Sequence, residues 1–498
     1  MSDSDKVWDV IVIGAGNAAG CAALAARDAG CDVVMLERAP EDEAGGNTRF
    51  TAGAMRVVYN GVEDIQKLVE LSETEIETTD FGTYTQDQFF DDIFRVTQYR
   101  CDPEMAETLV TRSLDTLVWM RSKGIEFVPI YGRQAFKIDG KFKFWGGLTV
   151  ETRGGGPGLY DALQASTSKN GIPTLFNTRA LELLYDGVKV TGVRVKSGGE
   201  LRDMKAKCVV IAAGGFQANP EMRTRYLGPG WELAKVRGTR FNTGDAVNMA
   251  LKIGAASYGN WSGGHAVGWD RNAPEFGDLA VGDQFQKHSY PFFVMVNAEG
   301  RRFVDEGADF RNYTYAKYGR VILNQPGQFA YQVLDAKVAH MKRDEYSIKQ
   351  VTKVVANTLE ELAGKLEGVD ARQFLETIRE YNAAVQQDIP YNPNVKDGRC
   401  TRGLEIDKSN WANTIDTPPF EAYGVTCGLT FTFGGMRING EGQVVDTDLA
   451  PIPGLYAAGE CVGGLFYFNY PGGSGLTAGS VFGRLAGTSA GAAAKAGN

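Results

Sequence analysis

Residues 11–20 read IVIGAGNAAG and set Gly14, Gly16 and Ala19 in a G-x-G-x-x-G/A spacing. An apolar run, Val7–Ile13, precedes the motif and an alanine-rich run, Ala18–Ala29, follows it. The glycines therefore sit between a buried strand and a helix, the context in which this spacing holds a dinucleotide. Gly14 permits the tight turn, Gly16 lets the backbone approach a pyrophosphate, and Ala19 lets helix and strand pack closely. The helix N-terminus turns its partial positive charge toward the phosphates. A second strand, Asp32–Leu36, completes a βαβ unit. Glu37 ends it, where a carboxylate suits a ribose diol.

That fingerprint does not separate NAD from FAD. The small residues Gly45-Gly46-Asn47-Thr48 and Ala52-Gly53-Ala54-Met55 follow it. They read either as a bed for a flat isoalloxazine or as a surface loop. Near the C-terminus, Pro453-Gly454-Leu455-Tyr456-Ala457-Ala458-Gly459-Glu460 reads as a turn, a short strand and an acidic end. Asn469-Tyr470-Pro471-Gly472-Gly473-Ser474-Gly475-Leu476 then leads into an Ala/Gly-rich helix running to Ala494. The free N–H groups at Ser474–Leu476 either begin a packing helix or stabilise an anionic reduced flavin. Taken with the N-terminal motif, the second reading makes the cofactor FAD.

Between these ends the pattern predicts helices over Pro103–Lys123, Asp161–Asn170 and Thr358–Asp388. It predicts a hairpin of Leu181–Tyr185 and Val188–Val195 about Asp186-Gly187, and a buried strand over Cys208–Ala213. From about Asn260 to Phe431 the chain is richer in Trp, Tyr and charge. This predicts an α/β fold: a discontinuous Rossmann-like FAD-binding domain (1–259 and 432–498) with an inserted α+β cap for substrate (260–431). The 498 residues suit two or three domains.

The net charge is −9 and no Lys/Arg run makes a basic face, which argues against nucleic acid as a partner. None of the seven cysteines forms a CxxC pair, so no iron–sulfur cluster or structural zinc is expected, and a reducing cytoplasm fits. The N-terminal MSDSDKVWD carries no signal-peptide pattern. Apolar stretches are broken well short of the about 18 residues of a spanning helix, so no membrane insertion is expected.

The motifs IGAGNAAG, LERAP, GGNTRFTAGAM, VVIAAGGF, RRFVDE, TFGGMRI and PGLYAAGE resemble those of the fumarate reductase/succinate dehydrogenase flavoprotein superfamily, over essentially the whole chain. Within it, AGGNTRFTAGAMR, QAFKIDGKFKFWGGLTVE, GGGPGLYDAL, NWSGGHAVGWD and NYPGGSGLTAG are most similar to FAD-dependent tricarballylate dehydrogenases. The resemblance implies desaturation of a CH–CH bond beside an electron-withdrawing group, with tricarballylate giving cis-aconitate. It implies FAD contacts at Arg38 (LERAP), Gly46, Asn47, Thr48 and Gly53 (GGNTRFTAG), Ala213 and Gly214 (VVIAAGGF), and Gly459 and Glu460 (PGLYAAGE). Ala180, Leu181, Ser474, Gly475 and Leu476 complete that set. GGNTRFT has no counterpart of the covalent-flavin histidine, so FAD is expected to be noncovalent. No second dinucleotide motif appears, so oxygen, a quinone or a redox partner protein is expected to accept the electrons.

Three residues are candidates for the chemistry. Arg311, in FVDEGADFRNY, falls where fumarate reductases carry a proton-shuttling arginine; it also fits a surface arginine paired with Asp305 or Asp309. His265, in GGHAVGWD, falls at their carboxylate-binding histidine. Two departures stand against plain fumarate chemistry. Phe431 and Thr432 replace a histidine, and Asn469-Tyr470-Pro471 replaces an arginine. Tyr470 instead resembles the Tyr-Pro-Gly feature of 3-ketosteroid dehydrogenases, where one tyrosine polarises a ketone and a second removes a proton. Tyr290, Tyr313 and Tyr315 are candidates for that second tyrosine. The substrate is therefore a carboxylate or a ketone, with a cyclic oxo-acid combining both. Trp145 either lines the pocket or fills a core. An electron-transfer subunit, or a flavin-binding module without activity, is the reading from another class.

Overall fold

A computed structural model describes residues 6–144 and 147–497; Trp145 lies outside the described residues. β1 (Val7–Ile13), α1 (Asn17–Asp28) and β2 (Val33–Leu36) form the first βαβ unit. The last four residues of β1 and all of β2 are buried, as parallel strands covered on both faces require. Helix α2 (Pro103–Ser122) matches its apolar periodicity, with Asp102 capping its N-terminus. Helix α3 (Gly155–Lys169) begins six residues before the expected Asp161, because Gly154 and Gly155 adopt left-handed conformations that let the chain enter a helix early.

β3 (Thr178–Tyr185) and β4 (Val190–Ser197) pair antiparallel as expected, but the turn is longer than two residues. Asp186 Oδ1 accepts from the backbone N–H groups of Val188 and Lys189, which extends the loop to residues 186–189. β5 (Glu200–Ile211) is longer than the expected Cys208–Ala213. Its exposed N-terminal half pairs with β4, a partner that apolar patterning cannot reveal. Its C-terminal half lies parallel to β1, giving the sheet order β3-β4-β5-β1-β2 with Thr174–Leu175 outside β2.

A second, six-stranded sheet centres on two long antiparallel strands, β6 (Ser257–Asp270) and β7 (Phe420–Met436). The boundaries at 259/260 and 431/432 fall inside these strands, and Lys235–Val236 also pairs with β7. Helix α4 (Tyr315–Leu323) packs on β6. The stretch Thr358–Asp388 is two helices, α5 (Leu359–Lys365) and α6 (Ala371–Ala384). Gly368 has φ +78° and Asp370 caps α6 through the Gln373 N–H, so the break lies in local chain chemistry.

The chain then returns to the first sheet through β8 (Pro451–Ala457), parallel to β5, and ends in α7 (Ser474–Ala496). Helix α7 packs along α1. A Cβ on Gly487 would lie 2.1 Å from the Ala22 carbonyl oxygen, so glycine is what allows the approach. Among the described residues no helix is long and apolar enough to cross a membrane.

Candidate functional site

A large cleft opens at the C-terminal ends of β1, β2 and β5, the place where open α/β sheets bind ligands. Gly14, Gly16 and Asn17 line it at the N-terminus of α1. Gly14 has φ +116°, and a Cβ there would lie 2.3 Å from the Ala212 carbonyl oxygen. Ala19 does not line the cleft; it is fully buried in α1, the packing role its place in the motif assigns it. Glu37 lines the wall and accepts from the Ala39 N–H at 2.8 Å. Burial pushes its carboxyl above the usual range. Arg38 is held by Phe241 O, Thr243 Oγ1 and Asp245 Oδ2.

Gly46, Asn47 and Thr48 lie on a short 3₁₀ turn and line the same wall. Asn47 donates to Thr430 O and accepts from the Thr239 N–H, tying this loop to the second sheet. Thr48 Oγ1 accepts from the Asn17 N–H at 2.9 Å, serving the first turn of α1. Ala180, Ala213, Gly214, Gly459, Glu460, Gly475 and Leu476 also line the cleft. Gly53, Leu181 and Ser474 do not, although their neighbours Ala52, Ala54, Ala180 and Gly473 do. Ser474 is fully buried beneath the turn.

Asn17 was not anticipated. Its side chain donates to Leu476 O at 2.8 Å and accepts from Ser480 Oγ at 3.1 Å, joining the N-termini of α1 and α7 across 459 residues. Neither helix carries an acidic residue in its first turn, so no carboxylate of its own offsets the positive end that each turns to the cleft. The glycine cradle and these two helix ends fit FAD, with its pyrophosphate and its electron-accepting ring. Glu460 accepts from the Thr432 N–H at 2.9 Å, and burial pushes its carboxyl up to about 7.

At the far end of the cleft, aromatic side chains from separate segments meet. His265 on β6 stands in register with Phe431 on β7. Its ring centroid lies 4.7 Å from Tyr470, 4.9 Å from Tyr315 and 5.1 Å from Phe431. Both imidazole nitrogens are buried without a hydrogen-bond partner among the described residues, and burial, with the nearby Arg237 charge, keeps the ring neutral. The Tyr315 and Tyr470 hydroxyls are hydrogen-bonded to each other. Of the three cap tyrosines considered, Tyr315 alone appears in this wall. Tyr290 instead bonds Thr314, and Tyr313 bonds Asp92.

Arg237 also lines this end and carries no motif that would mark it. It reaches the cleft because Lys235–Val236 pairs with Gly428–Leu429 of β7, a contact nearly two hundred residues distant in sequence. Arg311 does not line the main cleft. It lines a smaller cavity with His288, Phe310, Arg343 and Trp411, and donates to the Arg133 carbonyl at 3.3 Å. His288 stands between the two spaces, its ring 4.9 Å from that of Tyr315.

Comparison with known proteins agrees with this architecture. A family model described as "FAD binding domain" matches residues 9–476. A probable fumarate reductase, Ifc3, of Shewanella frigidimarina is 30% identical over 493 residues, covering 97% of this chain and 75% of that protein. The 4-oxocyclohexanecarboxylate 2-dehydrogenase of Sinomonas cyclohexanicum is 27% identical, covering 98% and 94%. The solved structure of 3-ketosteroid delta1-dehydrogenase from Sterolibacterium denitrificans superposes with a TM-score of 0.74 at 20% identity, covering 98% of this chain and 99% of that one. The chain thus belongs to the FAD-binding family of fumarate-reductase-like flavoproteins, oxidoreductases that act on CH–CH or C=C groups.

Proposed function

We propose that the chain is a desaturase of a cyclic or open-chain oxo-acid, removing a hydride and a proton from adjacent carbons beside a carbonyl. The observation that carries this reading is the Tyr315–Tyr470 hydroxyl pair facing His265 at the end of the FAD cleft. Bound FAD supplies a two-electron acceptor for the hydride. Tyr470 donates its hydroxyl to the carbonyl oxygen and stabilises enolate charge, with Tyr315 behind it in a cooperative chain. His265 has open nitrogens to receive the proton from the neighbouring carbon, and the negative charge growing on the substrate offsets the burial and the Arg237 charge that otherwise keep its ring neutral. The N-terminus of α7, with no acidic residue in its first turn, favours the reduced, anionic cofactor and hence oxidation of substrate. The relative that acts on 4-oxocyclohexanecarboxylate supports the same substrate class.

A second reading, a tricarballylate-like polycarboxylate, is favoured by a different observation. Arg237 in the main cleft, Arg311 and Arg343 in the adjoining cavity, and Arg133 beside them lie close together, balanced in part by Asp283 and Glu345. In that reading Arg311 anchors a carboxylate or takes the proton. We retain noncovalent FAD, and an acceptor that is oxygen, a quinone or a redox partner protein, as parts of both readings. The test is anaerobic mixing of holoenzyme with each compound, following the flavin's visible band. Bleaching by 4-oxocyclohexanecarboxylate supports the first reading, and bleaching by tricarballylate alone the second. Bleaching by neither sinks both in favour of an electron-transfer or non-catalytic module.

A further inference from the structure

Arg237 is 6% exposed, yet it lines the tyrosine end of the main cleft with His265, Tyr315 and Tyr470. Asp283 holds its Nε at 2.7 Å, while Thr430 Oγ1 and Gln286 Oε1 take one proton each from Nη1 and Nη2 at 3.3 and 3.4 Å. A guanidinium has five N–H donors. One N–H on each terminal nitrogen is therefore left without a partner among the described residues, open to a carboxylate.

The charge balance points the same way. Asp283 faces two arginines, Arg237 at 2.7 Å and Arg133 at 3.8 Å, so two cations share one carboxylate. Asp283 and Arg237 are both under a tenth exposed, whereas Arg133 keeps 24% of its side chain in contact with solvent, so Arg237 is the cation held away from water. Burying an unbalanced charge is expensive unless a ligand brings its counterpart. His265 cannot supply one, being neutral, and the two phenols are held protonated by burial. Phe431-Thr432 and Asn469-Tyr470-Pro471 stand where the resemblance to fumarate reductases implies a carboxylate-binding histidine and arginine, so the cleft needs a cation from elsewhere.

We propose that Arg237, positioned by Asp283, is the anchor for the substrate's carboxylate, replacing those lost groups from a different strand. It rests on the reading of the chain as an enzyme for an acid-bearing substrate. Arg237 then fixes the acid end while Tyr470 meets the carbonyl, so the spacing between them selects oxo-acids over simple ketones. Its competing role is to hold the anionic flavin ring, and the test separates the two.

The experiment compares wild-type, Arg237→Lys and Arg237→Met holoenzymes. FAD content is read from the flavin-to-protein ratio. Malonate serves as a simple carboxylate probe, with binding read from perturbation of the flavin spectrum. Turnover of 4-oxocyclohexanecarboxylate is compared with that of its uncharged methyl ester. We expect full FAD content in all three proteins and malonate binding weaker by about tenfold or more in Arg237→Met. Arg237→Lys should recover part of that loss. The preference for acid over ester, measured as a ratio of kcat/KM, should fall by a similar factor. Unchanged malonate affinity, or loss of FAD from both variants, overturns the proposal. If no oxo-acid or polycarboxylate bleaches the wild-type flavin, the desaturase reading fails, yet the malonate titration still decides the role of Arg237.

Discussion

At the dinucleotide end of the cleft, five consecutive residues, Gly14–Ala18, line one wall, and their neighbours in sequence are their neighbours in space. At the tyrosine end, Arg237, His265, Tyr315, Phe431 and Tyr470 come from five segments spread over more than two hundred residues. The first end is a local device: a strand, a tight turn and a helix start are sufficient to expose N–H groups to a phosphate. The second exists only when β6 and β7 are in register and the loop before α7 folds back onto α4. Local devices tolerate change elsewhere in the chain, while assembled ones are free to change chemistry with one residue.

The sharpest way to break this contrast is at the local end. Gly14→Val puts a branched side chain at φ +116°, against the Ala212 carbonyl. We expect it to abolish FAD retention, read from the flavin-to-protein ratio after purification; normal FAD content would show that the turn is not what holds the cofactor. At the assembled end the expected effect is chemical. Tyr470→Phe should keep FAD and lower kcat for an oxo-acid on the order of 10²-fold. A near-neutral effect returns weight to the polycarboxylate reading. Arg311→Ala should be milder, because Arg311 lies outside the main cleft. We expect about a tenfold loss in kcat with FAD bound, and a complete loss would place it at the reacting carbons.

The last effect is on stability rather than turnover and concerns Glu460, where the two ends adjoin. Its folded carboxyl is raised by burial from the ordinary 4.5 to about 7, so its ionised form is disfavoured in the folded state. The penalty is absent below about pH 4.5, grows between there and about pH 7, and is full above it. Glu460→Gln removes it. The Tm of the variant should therefore gain on wild type as pH rises through that window, by at most about 3 kcal/mol of stability. A constant Tm difference across the window would show that Glu460 does not titrate there.

Much of the cofactor half was legible because its residues announce themselves in short motifs. Gly14, Gly16, Glu37, Gly46–Thr48, Gly459 and Glu460 all reach the cleft as expected. The misplacements there are of one residue: Gly53, Leu181 and Ser474 stand just behind the wall their neighbours form. Strand and turn geometry alternates faces, and a motif does not say which neighbour points inward. At the tyrosine end, a resemblance singled out His265 and Tyr470, but nothing in the sequence placed their rings against each other. Tyr315 was one of three tyrosines with equal claims, Arg237 carried no signal, and Arg311 turned out to belong to an adjoining cavity.

By itself the sequence determined the βαβ start, the return of the chain to that unit near its C-terminus, and the identity of the cofactor. Each depends on conformations that a few adjacent residues impose on the backbone: left-handed glycine turns, helix starts and buried β-runs. The tertiary structure alone decided that Asn17 joins the two helix ends, that Tyr315 pairs with Tyr470, and that one buried carboxylate is shared by Arg133 and Arg237. These are contacts between segments far apart in the chain. Their geometry follows from sheet register and helix packing, and a charge or hydroxyl acquires its function only from what that packing leaves beside it.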